Sequence, residues 1–536
     1  MRPGADEGPT PRGAWPGIVA LAGMTVLAYA PALLRGGFVW DDDFHVTHNQ
    51  LLRTWDGLRA IWARPGAMLQ YYPLTHTSLW LEWQVFGAAP AGYHAVNILL
   101  HAANASLLWL VLRRLALPGA WLAAALFALH PVHVESVAWI TEIKNVQSGC
   151  LYLLAALAYL GFALPRDGEA PRRRGYVLAL VLYLGAILSK TVTCTLPASL
   201  LVCAWWKRGR IARRDVVRLV PFLAVGAAAG TLTAWMEQSR VGALGQDWGL
   251  SPVARLLVAG RALWFYLGKL ALPVGLSFVY PRWAIDTGAW WQYLFPLSAL
   301  GAGVLLWALR GRIGRGPLAA ALHYALTLAP ALGFVNVYPM LYSFVADHYV
   351  YLAGIGPIAL LATGLAALGR RLPAVPARAA GGALLLALGA GVWARSRVYE
   401  GPETLWNDTI RKNPTAWMAH NNLGRLLLEQ GRPREAEPHF RRALDLRPQL
   451  YEALYNLGNV YAADGRWDEA AAHYERALAI EPRFAPAHNN LANVYVYQGR
   501  IAEGIRHYET ALELLPGYTE ARNNLEAARR RAGAAP

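Results

Sequence analysis

Residues 17–43 read GIVALAGMTVLAYAPALLRGGFVWDDD. The run from Gly17 to Leu34 is apolar, and as a helix it reaches most of the way across ~30 Å of hydrocarbon. It ends in Gly36-Gly37-Phe38-Val39-Trp40 and then three consecutive acids, Asp41, Asp42 and Asp43. Acids at such a boundary have two readings. They cap a helix or solvate a turn, or one of them serves as a general base at the membrane surface.

Ten further apolar stretches follow, at about 96–112, 118–136, 147–164, 176–189, 192–206, 217–235, 291–309, 317–335, 350–368 and 378–394. The mean hydropathy is +0.26 and only 16% of the 536 residues are charged, which places the chain among membrane proteins. The 22 tryptophans suit interfacial belts. After Val398 the composition turns charged and soluble in character. The expectation is an all-α chain of two domains. Residues 1–398 form a polytopic membrane unit of about 11 transmembrane helices with a large first outer loop at about 36–95, and residues 399–536 form a soluble helical domain.

The net charge of +16 does not point to nucleic acid, because much of the basic excess falls in short loops between spans. Arg113-Arg114, Arg172-Arg173-Arg174, Lys207 to Arg214, Arg310 to Arg315 and Arg370-Arg371 are all cytoplasmic if eleven spans start from an inside N-terminus. Met1–Gly13 then precedes a retained first helix rather than a cleaved signal. The segment 256–272 is apolar but carries Arg261 and Lys269, and reads as re-entrant or interfacial on the outer side. The acid loop, 137–146, the Ser189-Lys190 turn, 236–290, 336–349 and the C-terminal domain fall together outside. In a bacterium this is the non-cytoplasmic face of the inner membrane. Cys150, Cys194 and Cys203 lie in apolar stretches without metal-ligand spacing and read as packing residues.

The C-terminal domain repeats with a period of 34. Pro448, Pro482 and Pro516 keep that spacing, as do Ala443, Ala477 and Ala511, and Gly431, Gly465 and Gly499 mark the turns. This is the tetratricopeptide pattern of stacked helix pairs. Three repeats are expected at 417–450, 451–484 and 485–518, with a half-repeat at 402–413 and a capping helix at 519–533. Asn422, Asn456, Asn490 and Asn524 form one column. Their amides either hold the backbone of an extended acceptor peptide or bridge neighbouring repeats. The segments His420-Asn421-Asn422-Leu423-Gly424 and His488-Asn489-Asn490-Leu491-Ala492 resemble the peptide-holding repeats of O-GlcNAc transferase.

Polar motifs punctuate the membrane half. After the acids comes Asn49, then Tyr71-Tyr72-Pro73-Leu74-Thr75 and Gly92-Tyr93-His94. Val96-Asn97-Ile98-Leu99-Leu100-His101 and His130-Pro131-Val132-His133-Val134-Glu135 follow. Leu188-Ser189-Lys190, Leu272-Pro273 with Leu276-Ser277-Phe278, and Asp347-His348-Tyr349-Val350-Tyr351-Leu352 complete the set. Between the first two, Leu51 to Trp62 has the apolar spacing of a helix lying flat on a membrane.

In order and spacing these motifs resemble the transmembrane and tetratricopeptide repeat-containing O-mannosyltransferase family and its bacterial relatives, which are GT-C type glycosyltransferases. The resemblance implies transfer of a sugar, mannose by default, from a polyprenyl-phosphate donor to Ser or Thr hydroxyls of exported proteins, with the repeats binding the acceptor. It implies Asp41 as catalytic base and Asp42 as the second acid, assisting or orienting; Asp43 is a solvated neighbour. For the donor phosphate the candidates are Lys190, which otherwise snorkels to the interface, then His348 and Tyr349. The family often carries arginine at the position of His348, and Arg261 and Arg282 are the compensating cations. Tyr72 stands where the family carries arginine. Asn49, Tyr72, His94, His130, His133, Glu135 and Asp347 complete the candidate site.

His130, His133 and Glu135 lack the His-Glu-x-x-His spacing of zinc proteases, so no metal site is expected. The resemblance points to a route that requires no cofactor; a divalent cation held by the aspartate run is the disfavoured alternative. A different class of reading is a membrane-anchored repeat scaffold for envelope assembly without catalysis. A lipid-sugar transporter would place charges near the midplane, whereas these cluster at span ends.

Overall fold

The computed structural model describes residues 11–165, 173–240 and 249–533. Residues 1–10 of the N-terminal segment and Arg172 of the basic loops lie outside them. The chain is 78% helix, with no strand among the described residues. It divides into two compact units, Met1–Gly401 and Pro402–Pro536.

In the first unit a helix occupies each of the eleven expected stretches. By length and apolarity five helices among the described residues suffice to cross a membrane, or six if a bent pair counts as one span. The shortfall has a local cause. Prolines and short 3₁₀ turns cut several apolar stretches into pieces. Helix Pro11–Ala28 stops before Pro31 and resumes as Ala30–Arg35. Helix Ala120–Ala128 and the segment Pro131–Ala138 meet at 51° around Pro131, whose ring blocks a straight continuation. The stretch at 192–206 begins as the 3₁₀ turn Thr191–Thr195 before helix Leu196–Arg208.

Burial separates the helices. Pro90–Arg114 and Ile140–Ala163 are largely buried, whereas Trp290–Leu309 and Ala374–Glu400 present nearly all their apolar surface outward. Leu297, Leu300, Val304 and Trp307 are exposed on one of these, as lipid-facing side chains require. The Val96–His101 motif lies in the buried set. Asn97 donates to the carbonyls of Trp139 and Ile140, both at 3.2 Å. Asn104 donates to Val146 O and to the Tyr351 hydroxyl, each at 2.8 Å. The motif thus fixes the turn at 139–146, which reappears in the site.

Pro252–Ala271 is a single unbroken helix, so 256–272 does not fold back as a re-entrant pair. It lies along the loop 333–346 and the His130 break. Arg255 donates to Gly333 O and Asn336 Oδ1 at 2.7 Å, the Ala346 N–H donates to Tyr266 Oη at 2.9 Å, and His130 Nε2 lies 3.0 Å from Leu270 O. Within 51–62 the helix proper is shorter, Trp55–Ala63, capped by the Thr54 side chain.

In the second unit the helix pairs Trp417–Glu429/Pro433–Leu446, Tyr451–Ala463/Trp467–Ile480 and Ala485–Tyr497/Ile501–Leu514 are followed by Thr519–Gly533. Gly431, Gly465 and Gly499 close the first helix of each pair with φ between +73° and +82°, where a Cβ would be strained. Gly458 lies so close to Tyr474 that a Cβ would meet its ring at 2.6 Å.

Candidate active site

The three aspartates part company in the fold. Asp42 is fully buried and accepts two backbone N–H bonds, from Val39 at 2.8 Å and from Thr141 at 2.9 Å. It ties the acid loop to the 139–146 turn. Asp43 is exposed and accepts from the Thr47 hydroxyl. Asp41 keeps 29% of its side chain accessible and faces a cavity. Its Oδ1 accepts from the Thr141 hydroxyl at 3.0 Å, and His45 Nε2 stands at 3.6 Å from Oδ2, outside hydrogen-bond range. Burial raises the carboxyl of Asp41 above the ordinary range, against the lowering effect of Lys144 and Thr141. Asp42 is raised further, by burial and by the charge of Asp41. Trp40 is held at φ +47°, a conformation a bulky residue rarely adopts. Its ring stacks on Trp139 at 5.5 Å and meets Phe278 edge-on.

The cavity at Asp41 is about 300 Å³, lined by aromatic side chains (Trp40, Phe44, Trp139, Phe278, Tyr338, Tyr342) together with His45 and Glu135. A second cavity of about 410 Å³ adjoins it, with a mostly apolar lining that includes Val192, Ala234, Ala331, Val335, Val337 and Leu352. Gln70, Glu142, Lys144, Pro339 and His348 line both. Tyr72, Lys190 and Tyr349 line the second. The Tyr349 hydroxyl is buried without a hydrogen-bond partner among the described residues.

The common wall is ionic. Glu142, fully buried, faces two lysines: Lys144 Nζ at 2.9 Å from Oε1 and Lys190 Nζ at 3.1 Å from Oε2. Asn145 donates to the same Oε2 at 2.5 Å and to His348 O at 3.1 Å. A buried carboxylate between two ammonium groups is tolerable only because each charge has a partner. Burial lowers Lys190 to about 8, against the raising effect of Glu142. Neither Glu142 nor Lys144 was a sequence candidate. The available signal is a pair of charges, Glu142 and Lys144, in the short turn between two apolar stretches.

The other candidates have partners within the fold. His348 Nδ1 is 2.5 Å from Glu135 Oε1, and burial takes its ring down to about 3. Arg261 and Arg282 line neither cavity. Arg261 lies over the Trp283 ring at 4.5 Å and Arg282 over Phe344 at 4.9 Å, where aromatic faces stabilise the guanidinium. Asp347 accepts from the Tyr280 hydroxyl at 2.7 Å and anchors the 276–280 segment. Asn49 is a cap, accepting from the Leu51 N–H at 3.0 Å. His94 packs against Gly36, where a Cβ would collide with its ring. His130 is bonded to Leu270, and His133 is buried among His101, Phe127 and Tyr351. Neither reaches the cavities. No group of three His, Cys, Asp or Glu able to hold a metal occurs among the described residues.

The asparagine column also has partners inside the fold. Asn456 donates to Asn421 Oδ1 at 3.2 Å, Asn490 to Tyr455 Oη and Asn459 Oδ1, and Asn524 to Asn489 and Asn493. Asn422 contacts Met418 Sδ within its own helix. Three of the four amides thus bridge to the preceding repeat.

Fold and site together define a helical membrane protein with a carboxylate-and-lysine cavity and a tetratricopeptide superhelix. The tetratricopeptide repeat model matches residues 403–450, 421–486 and 461–528. The chain is 34% identical over 205 residues to protein O-mannosyl-transferase Tmtc1 of Drosophila melanogaster, covering 35% of this chain and 22% of that protein. It is 25% identical over 467 residues to protein O-mannosyl-transferase F38B6.6 of Caenorhabditis elegans, covering 83% and 65%. Against protein O-mannosyl-transferase TMTC1 of Mus musculus it is 36% identical over 152 residues, covering 26% and 16%. The chain therefore spans less than two thirds of the length of these relatives. These matches fit the transmembrane and tetratricopeptide repeat-containing O-mannosyltransferase family, in agreement with the motifs.

Proposed function

We propose that the protein is an integral membrane glycosyltransferase of GT-C type that moves mannose from a polyprenyl-phosphate donor to Ser or Thr hydroxyls of exported proteins. The observation that carries this reading is the junction of the two cavities. A polyprenyl-phosphate sugar is a molecule in three parts: an apolar tail, a phosphate and a polar ring. The apolar cavity suits the tail, the ionic wall suits the phosphate, and the aromatic cavity with Asp41 suits the sugar and the acceptor hydroxyl. The names of the relatives supply the sugar and the acceptor class.

In the mechanism Asp41 Oδ1 or Oδ2 removes the proton as the acceptor oxygen attacks the anomeric carbon, and the bond to the phosphate oxygen breaks. Thr141 and Asp42 hold the base in place; the lysine wall stabilises charge growing on the leaving phosphate. The aromatic wall formed by Trp40, Trp139 and Phe278 offers flat faces to the sugar and limits water. The repeats bind the acceptor protein, through surfaces other than the amide donors that bridge them. The test is intact-mass analysis of exported proteins from cells with and without the gene. A hexose lost on deletion supports the reading. Unchanged masses favour the non-catalytic scaffold.

A further inference from the structure

We infer that Lys144 is the second phosphate ligand of the site, paired with Lys190 and oriented by Glu142. The inference rests on the donor reading above and deepens it.

The position follows from the order of the donor's parts. If its tail lies in the apolar cavity and its sugar lies at Asp41, its phosphate must lie at the wall common to both. Among the described residues five line both cavities: Gln70, Glu142, Lys144, Pro339 and His348. Of these Glu142 is an anion, Gln70 and Pro339 are uncharged, and His348 gives its Nδ1 to Glu135. Lys144 is the cation of the set. Lys190 approaches from the other side, lining the apolar cavity alone.

The two lysines come from different elements, Lys144 at the start of helix Ile143–Ala163 and Lys190 at the turn after helix Arg173–Ser189. Glu142 gathers them by taking one ammonium on each oxygen. An ammonium has three donors, so both lysines retain N–H groups beyond Glu142. Their side chains keep 16% and 14% of their surface accessible while Glu142 keeps none. The carboxylate is therefore the buried anchor, and the lysine tips form the exposed edge of the wall. Each ammonium can keep its bond to Glu142 and still donate to a non-bridging oxygen of a phosphate.

The experiment measures lipid binding to the detergent-solubilised full chain, with undecaprenyl phosphate, its uncharged counterpart undecaprenol, and dodecyl phosphate as probes. Lys144→Met is the main variant and Lys144→Arg the conservative one. Lys190 remains to pair Glu142 in both, and a thermal melt checks their fold. Lys144→Met is expected to weaken undecaprenyl phosphate binding at least about ten-fold, the loss of one charge-assisted bond. Undecaprenol binding should be unchanged, and Lys144→Arg should retain phosphate binding. Equal binding of undecaprenyl phosphate by the wild type and a folded Lys144→Met overturns the inference and leaves the donor reading standing. Loss of both lipids alike in Lys144→Met also overturns it, because a merely structural role would not distinguish charge. If the wild type binds dodecyl phosphate through Lys144 but no polyprenyl phosphate, the clamp stands and the donor reading falls. If it binds neither phosphate, both fall.

Discussion

The hydroxyl of Thr141 donates to Asp41 Oδ1 at 3.0 Å across 100 residues of chain. The backbone N–H of the same threonine donates to Asp42. One residue thus sets the aim of the proposed base and fixes the loop that carries it. The bond favours the charged carboxylate. Thr141→Val, which keeps the backbone donor and the shape, should reduce transfer about ten-fold and move the acid limb of the pH–rate profile upward. Steady-state rates between pH 4 and 8 check both effects.

Asp41 itself gives a pH prediction. Its carboxyl is raised by burial, so the base form is present above that raised value and is lost as pH falls through it. The acid limb of kcat/KM should therefore lie above the ordinary aspartate value of about 3.9. Folding favours the protonated form, so this group's contribution to stability grows as the pH falls through the same range. Lys144 lowers the Asp41 value; Lys144→Met should move the limb further up. A limb that stays in place would separate the lysine from the base.

Asp42 is predicted to act on structure. Asp42→Ala leaves the N–H groups of Val39 and Thr141 buried without an acceptor, at a cost of about 1–3 kcal/mol each. Its melting temperature in detergent should fall together with activity. Asp42→Asn, which keeps one acceptor oxygen, should recover part of the melting temperature.

Removal of Glu142 tests the ionic wall. Glu142→Ala strands two half-buried lysines, and breaking such a network costs at most about 3–5 kcal/mol. The double variant Glu142→Ala/Lys144→Met removes one stranded charge and should melt higher than the single variant.

Asn490 bonds to both Tyr455 and Asn459 of the preceding repeat. Asn490→Ala should destabilise that junction by about 1 kcal/mol. Hydrogen exchange in the full chain should show faster exchange in helices Tyr451–Ala463 and Ala485–Tyr497 and no change in Trp417–Glu429.

Much of this was legible before the structure. Apolar runs mark the helices, because burial in lipid needs nothing more than side-chain composition. The 34-residue period marks the repeats, because each helix pair must meet its neighbour in the same way. The resemblance puts Asp41 first among the acids. Composition and spacing alone do not separate three identical side chains: their burial and bonding depend on Val39 and Thr141, and Thr141 lies far along the chain. Glu142 and Lys144 were missed for the same reason, since the ion network is completed by Lys190, 48 residues beyond Glu142. His130 and His133 drew attention by type, yet the Pro131 bend turns them into packing and hydrogen bonding away from the cavities. Breaks of this kind also explain why eleven apolar stretches yield fewer helices of full crossing length.

The central claim is that Asp41 is the base of a sugar transfer from a polyprenyl phosphate. The most direct measurement is transfer of labelled mannose from undecaprenyl-phosphate mannose to exported protein by the purified full chain in proteoliposomes, with wild type and Asp41→Asn compared at equal expression and equal melting temperature. The account predicts transfer by the wild type and a loss of about 10²–10⁴-fold in Asp41→Asn. Equal transfer by the two proteins would contradict it.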